Sequence, residues 1–143
     1  MSSHIERRCR ECGGKIRPIA RAGRRAAFRH VPKLPIPANV TIPTCNGCGA
    51  EYLDPQTAAL LDRSLKSAYQ EFLRTRFVRA LKTVAREITQ ARLEQLMGLS
   101  QGYLSKVKSG EREPSAELVG ELHVLARDPR RRLQELERCW RAA

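Results

Sequence analysis

Two short turns near the amino terminus, Cys9-Arg-Glu-Cys12-Gly13 and Cys45-Asn-Gly-Cys48-Gly49, constrain this chain more than any other feature. Each brings two thiols to one centre, and the glycine that follows admits the positive φ of a tight turn. Two such turns complete an all-thiolate tetrahedron, the coordination that Zn2+ takes in structural sites. Four thiolates fill that shell and leave no open position for catalysis. Residues 1–53 also carry five of the eight prolines and five of the nine glycines, with few apolar side chains. A segment so poor in core needs a staple, and a bound ion supplies on the order of 10 kcal/mol toward folding.

Other uses of four cysteines fit less well. Disulfides belong to oxidising compartments, and the opening Met1-Ser-Ser-His4-Ile-Glu-Arg-Arg has no apolar core for secretion. A redox Cys-x2-Cys normally follows a strand of a βαβ unit and does not come twice. Rubredoxin-type iron domains are acidic and aromatic-rich, whereas residues 1–53 offer only Phe28 and Tyr52 as aromatics. Cys9, Cys12, Cys45 and Cys48 are therefore assigned to Zn2+ in a cytoplasmic protein. Cys139 stands apart and reads as a small buried apolar residue. His4, His30 and His123 fall at no ligand spacing.

The formal charge is +12 over 143 residues, which points to a polyanion as partner. Its distribution is uneven. Residues 1–53 hold ten basic and three acidic side chains, residues 54–86 seven and three, and residues 87–143 ten and nine. Arg17, Arg21, Arg24, Arg25, Arg29 and Lys33 make the front basic. A second nucleic-acid contact, an acidic protein partner and a plain solvated surface all remain open for them. No stretch resembles a membrane span, which needs about 20 continuous apolar residues.

Three regions follow from composition: a zinc module over 1–53, a connecting helix over 54–74 and a helical domain over 75–143. Short alternating pieces at Lys15–Ala20, Arg25–Val31 and Asn39–Ile42 suggest small strands. Pro32, Pro35 and Pro37 make the stretch between them extended and irregular. Asp54-Pro55 is a helix start. Leu61, Leu65, Ala68, Tyr69 and Phe72 form one apolar stripe, and Phe77, Leu81, Val84, Ala85 and Ile88 a second, rotated one. We read a break at Arg74-Thr75. Thr89, Ser100, Pro114-Ser115 and Asp128-Pro129 open four further helices, and Gly98 and Gly110 end two of them. The fold class is mainly α, with a small zinc-stapled, β-containing module ahead of a five-helix, repressor-like helix-turn-helix domain.

The run Gln90–Gly110 carries the second signal. Leu93, Leu96 and Met97 face inward from one short helix, Leu99 plugs the turn, and Leu104 and Val107 bury the next. Gln101, Gly102, Tyr103, Ser105, Lys106 and Lys108 remain on or near the outer side. Glutamine and lysine bond base edges, while serine, tyrosine and lysine reach phosphates. With its capped Thr89-Gln90 start, glycine turn, Leu99-Ser100 entry and Gly110-Glu-Arg-Glu-Pro-Ser exit, the run resembles the Cro/repressor-like (XRE) family over roughly residues 75–127. The resemblance implies that Thr89 and Gln90 meet the DNA backbone. It places Gln101, Gly102, Ser105 and Lys106 at the major groove and Arg112 near phosphate. Glu94 departs from the family's small residue, so it must rotate outward or find a cation, Arg92 or Lys106.

The cysteine pairs, Gly49-x-Glu51-Tyr52 and the helical domain together resemble the MqsA/YgiT-type antitoxins. That resemblance implies a dimeric autorepressor of a palindromic operator in double-stranded DNA, with a toxin bound at the zinc module. A basic front half would repel a basic toxin, so the antitoxin role is the finer expectation and DNA-binding regulator the broader one. A stand-alone zinc-ribbon module for nucleic acid or protein is the alternative. No catalytic constellation or phosphate loop is visible, and we expect no enzyme. Leu133, Leu136 and Trp140 of the last helix serve either a dimer interface or intrachain packing.

Overall fold

The computed structural model describes residues 7–141, so His4 and Glu6 lie outside the described residues. The chain divides into two compact units, Met1–Tyr69 and Gln70–Ala143.

In the first unit, β1 (Ile16–Ala20) pairs antiparallel with β4 (Thr41–Cys45), with Ile16 opposite Cys45 and Ala20 opposite Thr41. A second antiparallel pair joins β2 (Arg25–Phe28) to β3 (Val31–Pro35). The strand expected over Arg25–Val31 is thus broken: the chain turns at Arg29, whose φ is 51°, and comes back as β3. The prolines at 32 and 35 lie inside β3, so the stretch expected to be extended and irregular is extended but paired as a strand. Both strands of a two-stranded sheet are edges, so a proline's missing N–H is tolerated. Val31, Leu34, Ile36, Val40 and Ile42 are buried in this unit, as are Leu65 and Tyr69. Phe28 tilts onto Tyr69 at 5.6 Å between ring centroids.

Helix α1 runs unbroken from Pro55 to Val84. The Asp54 carboxylate caps it, accepting from the Thr57 amide at 2.8 Å. The expected break at Arg74-Thr75 is absent. Nothing after Pro55 in this stretch is glycine or proline, so helix propensity is unopposed. The two rotated stripes are two faces of one helix. Leu65 and Tyr69 are buried in the first unit, and Leu73, Phe77, Ala80, Leu81 and Val84 in the second.

The second unit continues with α2 (Gln90–Leu96), α3 (Tyr103–Ser109), α4 (Ala116–Arg127) and α5 (Pro129–Arg141). The caps at Thr89 and Ser115 act as read, accepting from the amides of Arg92 and Leu118. Gly98 and Gly110 take φ of 67° and 85°, as helix-terminating glycines do. Leu93, Leu96, Leu104, Val107, Leu118, Leu122, Leu125 and Leu133 join the α1 residues in the buried set. These five helices make the chain mainly α. No helix among the described residues is long and apolar enough to cross a membrane.

Two further expectations change. Cys139 is exposed, not buried: it lies on the outer side of α5, where Leu133 is the buried residue. Trp140 is also 65% exposed, yet its indole Nε1 donates to the Leu96 carbonyl at 2.9 Å.

Candidate metal centre and nucleic-acid interface

The two cysteine turns are built alike. The amides of Gly13 and Gly49 donate to the carbonyls of Cys9 and Cys45, at 2.9 and 3.1 Å. The amides of Cys9 and Cys45 donate to the carbonyls of Gly14 and Ala50, at 2.8 and 2.9 Å. Gly13 and Gly49 take φ of 74° and 76°, the left-handed conformation for which the sequence places glycine there. The turns abut: the Lys15 amide donates to Asn46 Oδ1 at 2.9 Å, and the Asn46 amide to the Lys15 carbonyl at 3.0 Å.

All four sulfurs lie within 4.8 Å of one another. Cys9 and Cys48 approach to 3.6 Å and Cys12 and Cys45 to 3.4 Å, and no disulfide joins them. Thiolates at the corners of a tetrahedron with metal–sulfur bonds of about 2.3 Å stand ~3.8 Å apart, so the spacing suits one ion. The backbone keeps the space open. A Cβ on Gly14 would fall 2.8 Å from Cys45 Sγ, and one on Gly47 would fall 3.1 Å from Cys12 Sγ. Cys9 and Cys45 are buried while Cys12 and Cys48 are exposed.

Tyr52 joins this cluster unannounced. Its hydroxyl stands 3.0 Å from Cys9 Sγ. Donating to the thiolate, it brings Cys9 down to about 6, and its own proton is held up to about 12. The Ala50 amide favours the Cys48 thiolate, but hydrogen bonding with Cys12 and Cys9 outweighs it and pushes Cys48 up to about 12.

The expected nucleic-acid residues form a coherent surface around α3. Ser100, Gln101, Ser105, Lys106, Lys108 and Arg112 are exposed, and Gly102 and Tyr103 are half-buried. The Arg112 guanidinium lies over the Tyr103 ring at 5.8 Å from its centroid. Thr89 is exposed beside Gln90, whose Nε2 donates to Ser105 Oγ at 2.6 Å. That bond ties the first turn of α2 to the outer side of α3.

Ser100 does not cap α3. The helix starts at Tyr103, and its cap position is Gly102 with φ of 79° and no side-chain bond of its own. The cap comes from Glu94. This carboxylate is 3% exposed and accepts from the Gly102 and Leu104 amides, both at 2.9 Å. It neither rotates outward nor pairs with Arg92 or Lys106. Arg92 instead meets Glu137 at 3.4 Å. The first amides of a helix are orphan donors that favour negative charge, so a buried carboxylate is at home there. Only the side chain's reach across the turn could have announced this.

The front of the chain is partly spoken for as well. Arg24 is drawn inward, donating to the carbonyls of Ile19 at 2.7 Å and Val40 at 3.4 Å. It and Arg21 both face Glu51, at 3.7 and 2.9 Å. Arg17, Arg25, Arg29 and Lys33 are exposed.

Fold and site together describe a chain with a helix-turn-helix domain and a four-cysteine cluster able to hold a metal ion. Residues 78–123 match a family model described as helix-turn-helix. None of the curated proteins matches the chain.

Proposed function

We propose that this chain is a sequence-specific transcriptional repressor of the cytoplasm, built on a structural Zn2+ site and acting without catalysis. The observation that carries the reading is α3, held by Glu94 at its start and by Gln90 at its outer side, with Gln101 exposed in the turn before it and Ser105 and Lys106 exposed along it. Gln101 and Lys106 read base edges in the major groove. Tyr103, Lys108, Arg112 and the Thr89-Gln90 helix start contact phosphates. Zn2+ is the ion of choice for four thiolates at this spacing. It would hold the two cysteine turns together.

Repression by such a domain uses a homodimer on a palindromic site, with half-sites roughly 34 Å apart. The test is selection of duplexes from a random library by the full chain, followed by binding to the enriched site. A two-fold-related motif is expected, and Gln101→Ala and Lys106→Ala should each weaken it about tenfold or more. Retention of full affinity by both variants would sink the reading. Metal analysis should return one zinc per chain.

The narrower reading, an antitoxin of MqsA/YgiT type, rests on the cysteine turns followed by Glu51-Tyr52 and a repressor domain. A stable complex with the product of an adjacent small gene is its test.

A further inference from the structure

The helix-turn-helix reader is weakly charged for a protein that must capture a polyanion. Residues 87–143 hold ten basic and nine acidic side chains, and several of those bases are already engaged. Arg92 pairs with Glu137, Arg130 with Glu87, and Arg131 and Arg132 with Glu135. The general attraction to DNA must come from elsewhere in the chain, because phosphate neutralisation supplies most of non-specific affinity.

The β2–β3 hairpin has the required surface. Its inward positions are Ala26, Phe28, Val31 and Leu34, which leaves Arg25, Ala27, Pro32, Lys33 and Pro35 exposed. Arg25 and Lys33 are neighbours across the pair, the Arg25 guanidinium donating to the Lys33 carbonyl at 3.4 Å. Arg29 stands at the turn, its guanidinium 5.0 Å from the Tyr69 centroid and 5.6 Å from that of Phe28. Those rings hold the cation in place without neutralising it. Among the described residues none of the three meets a carboxylate, whereas Arg21 and Arg24 both do. The exposed neighbours are small or prolyl, with no apolar anchor of the kind that dominates protein interfaces.

We infer that the β2–β3 hairpin is a second DNA-contacting surface, on which Arg25, Arg29 and Lys33 bind the phosphate backbone of duplex DNA without reading sequence. The inference rests on the DNA-binding reading of α3, and the experiment separates the two. The probe is a fluorescein-labelled mixed-sequence 30-base-pair duplex, titrated with the zinc-loaded full chain at several KCl concentrations. Each phosphate contact contributes about 0.9 to the slope of log affinity against log salt. Arg25→Gln/Arg29→Gln/Lys33→Gln should therefore reduce the slope by about two to three and weaken binding at least tenfold near 0.1 M KCl. Arg25→Lys/Arg29→Lys/Lys33→Arg keeps the charge and should keep the slope. Unchanged zinc content and circular dichroism would establish that the glutamine variant is folded.

If a folded glutamine variant keeps wild-type slope and affinity, the hairpin does not bind DNA and the inference is overturned. The same result with binding to a poly-glutamate column lost on substitution would assign the surface to an acidic protein instead. Lys106→Ala/Lys108→Ala is the separate control. Failure of that variant alone to alter binding would count against the reading of α3 and leave the hairpin standing.

Discussion

The carboxylate of Glu94, in α2, accepts from the backbone amide of Leu104, in α3, at 2.9 Å and is almost wholly buried. Its other oxygen takes the Gly102 amide at the same distance. One acidic side chain thus does for α3 what a local cap does for α2 and α4. Alanine at 94 would leave two helix amides without partners, at about 1–3 kcal/mol for each buried unsatisfied group. We expect Glu94→Ala to lower stability by about 2–4 kcal/mol, allowing for partial hydration of Gly102. Glu94→Gln should lose roughly half as much, since it keeps an acceptor for one amide while setting an NH2 against the other. Urea unfolding followed by circular dichroism gives the order. An alanine variant as stable as wild type would refute the capping role.

The four-cysteine cluster makes a prediction about a residue that is not one of the candidate ligands. Alanine at Gly14 would set its Cβ 2.8 Å from Cys45 Sγ and 3.0 Å from Asn46 Oδ1. On the proposed zinc reading, Gly14→Ala should therefore weaken zinc binding at least tenfold in competition with a chromogenic chelator. Gly23→Ala is the matched comparison, because its φ of 80° is strained for alanine but nothing lies near the added carbon. It should cost about 1 kcal/mol of stability and leave zinc affinity unaltered. Equal zinc affinities for the two variants would show that the space around Gly14 is not what holds the sulfurs apart.

Asp54 supplies a pH dependence. The Thr57 amide and hydroxyl, and then the Arg7 guanidinium 3.0 Å away, hold its carboxyl below the usual value of 3.8. A group with a lowered folded pKa adds stability that is complete above its unfolded pKa and fades as pH falls through the folded one. Wild type should therefore exceed Asp54→Asn in stability above pH 3.8, and the gap should close below it. Comparing the two proteins cancels acid effects that they share, loss of metal included. A gap that stays unchanged however far the pH falls below 3.8 would exclude ionisation of Asp54 as its source.

Trp140 reports on how α5 is held. Its ring is largely exposed, yet its indole N–H reaches the Leu96 carbonyl at the end of α2. Trp140→Phe keeps an aromatic ring and removes the donor, so it should cost about 0.5–1.5 kcal/mol, the net worth of one such bond. Thermal unfolding followed by circular dichroism measures this. No loss would mean that water replaces the indole without penalty.

Local chemistry was legible from the sequence wherever a residue acts on its own neighbours. The glycines after each cysteine pair, the caps at Asp54, Thr89 and Ser115, and the stops at Gly98 and Gly110 all act within a few positions in the chain. Hydrophobic spacing likewise announced Leu93, Leu96, Leu104 and Val107 as the buried side of the helix pair. Where the reading failed, the deciding partner was distant. Ser100 is a cap residue by type, but α3 takes its cap position two residues later, at Gly102, and Glu94 occupies the amides. Proline content spoke against β3, but pairing with β2 made it a strand. A change of stripe spoke for a break in α1, but each end of one helix buries its own face.

What the sequence by itself determined is the chemistry available: four thiols in two glycine-closed turns, a run of short capped helices and an excess of cations toward the front. Those properties reside in residue types and close spacings, which survive in any conformation. Only the tertiary structure decided how that chemistry is spent. It set the Tyr52 hydroxyl against Cys9, gave Glu51 to Arg21 and Arg24, and, among the described residues, left Arg25, Arg29 and Lys33 without a carboxylate. The physical reason is that hydrogen bonds and ion pairs act over a few ångströms. Which groups come that close is settled by packing, and packing brings together residues far apart in the chain.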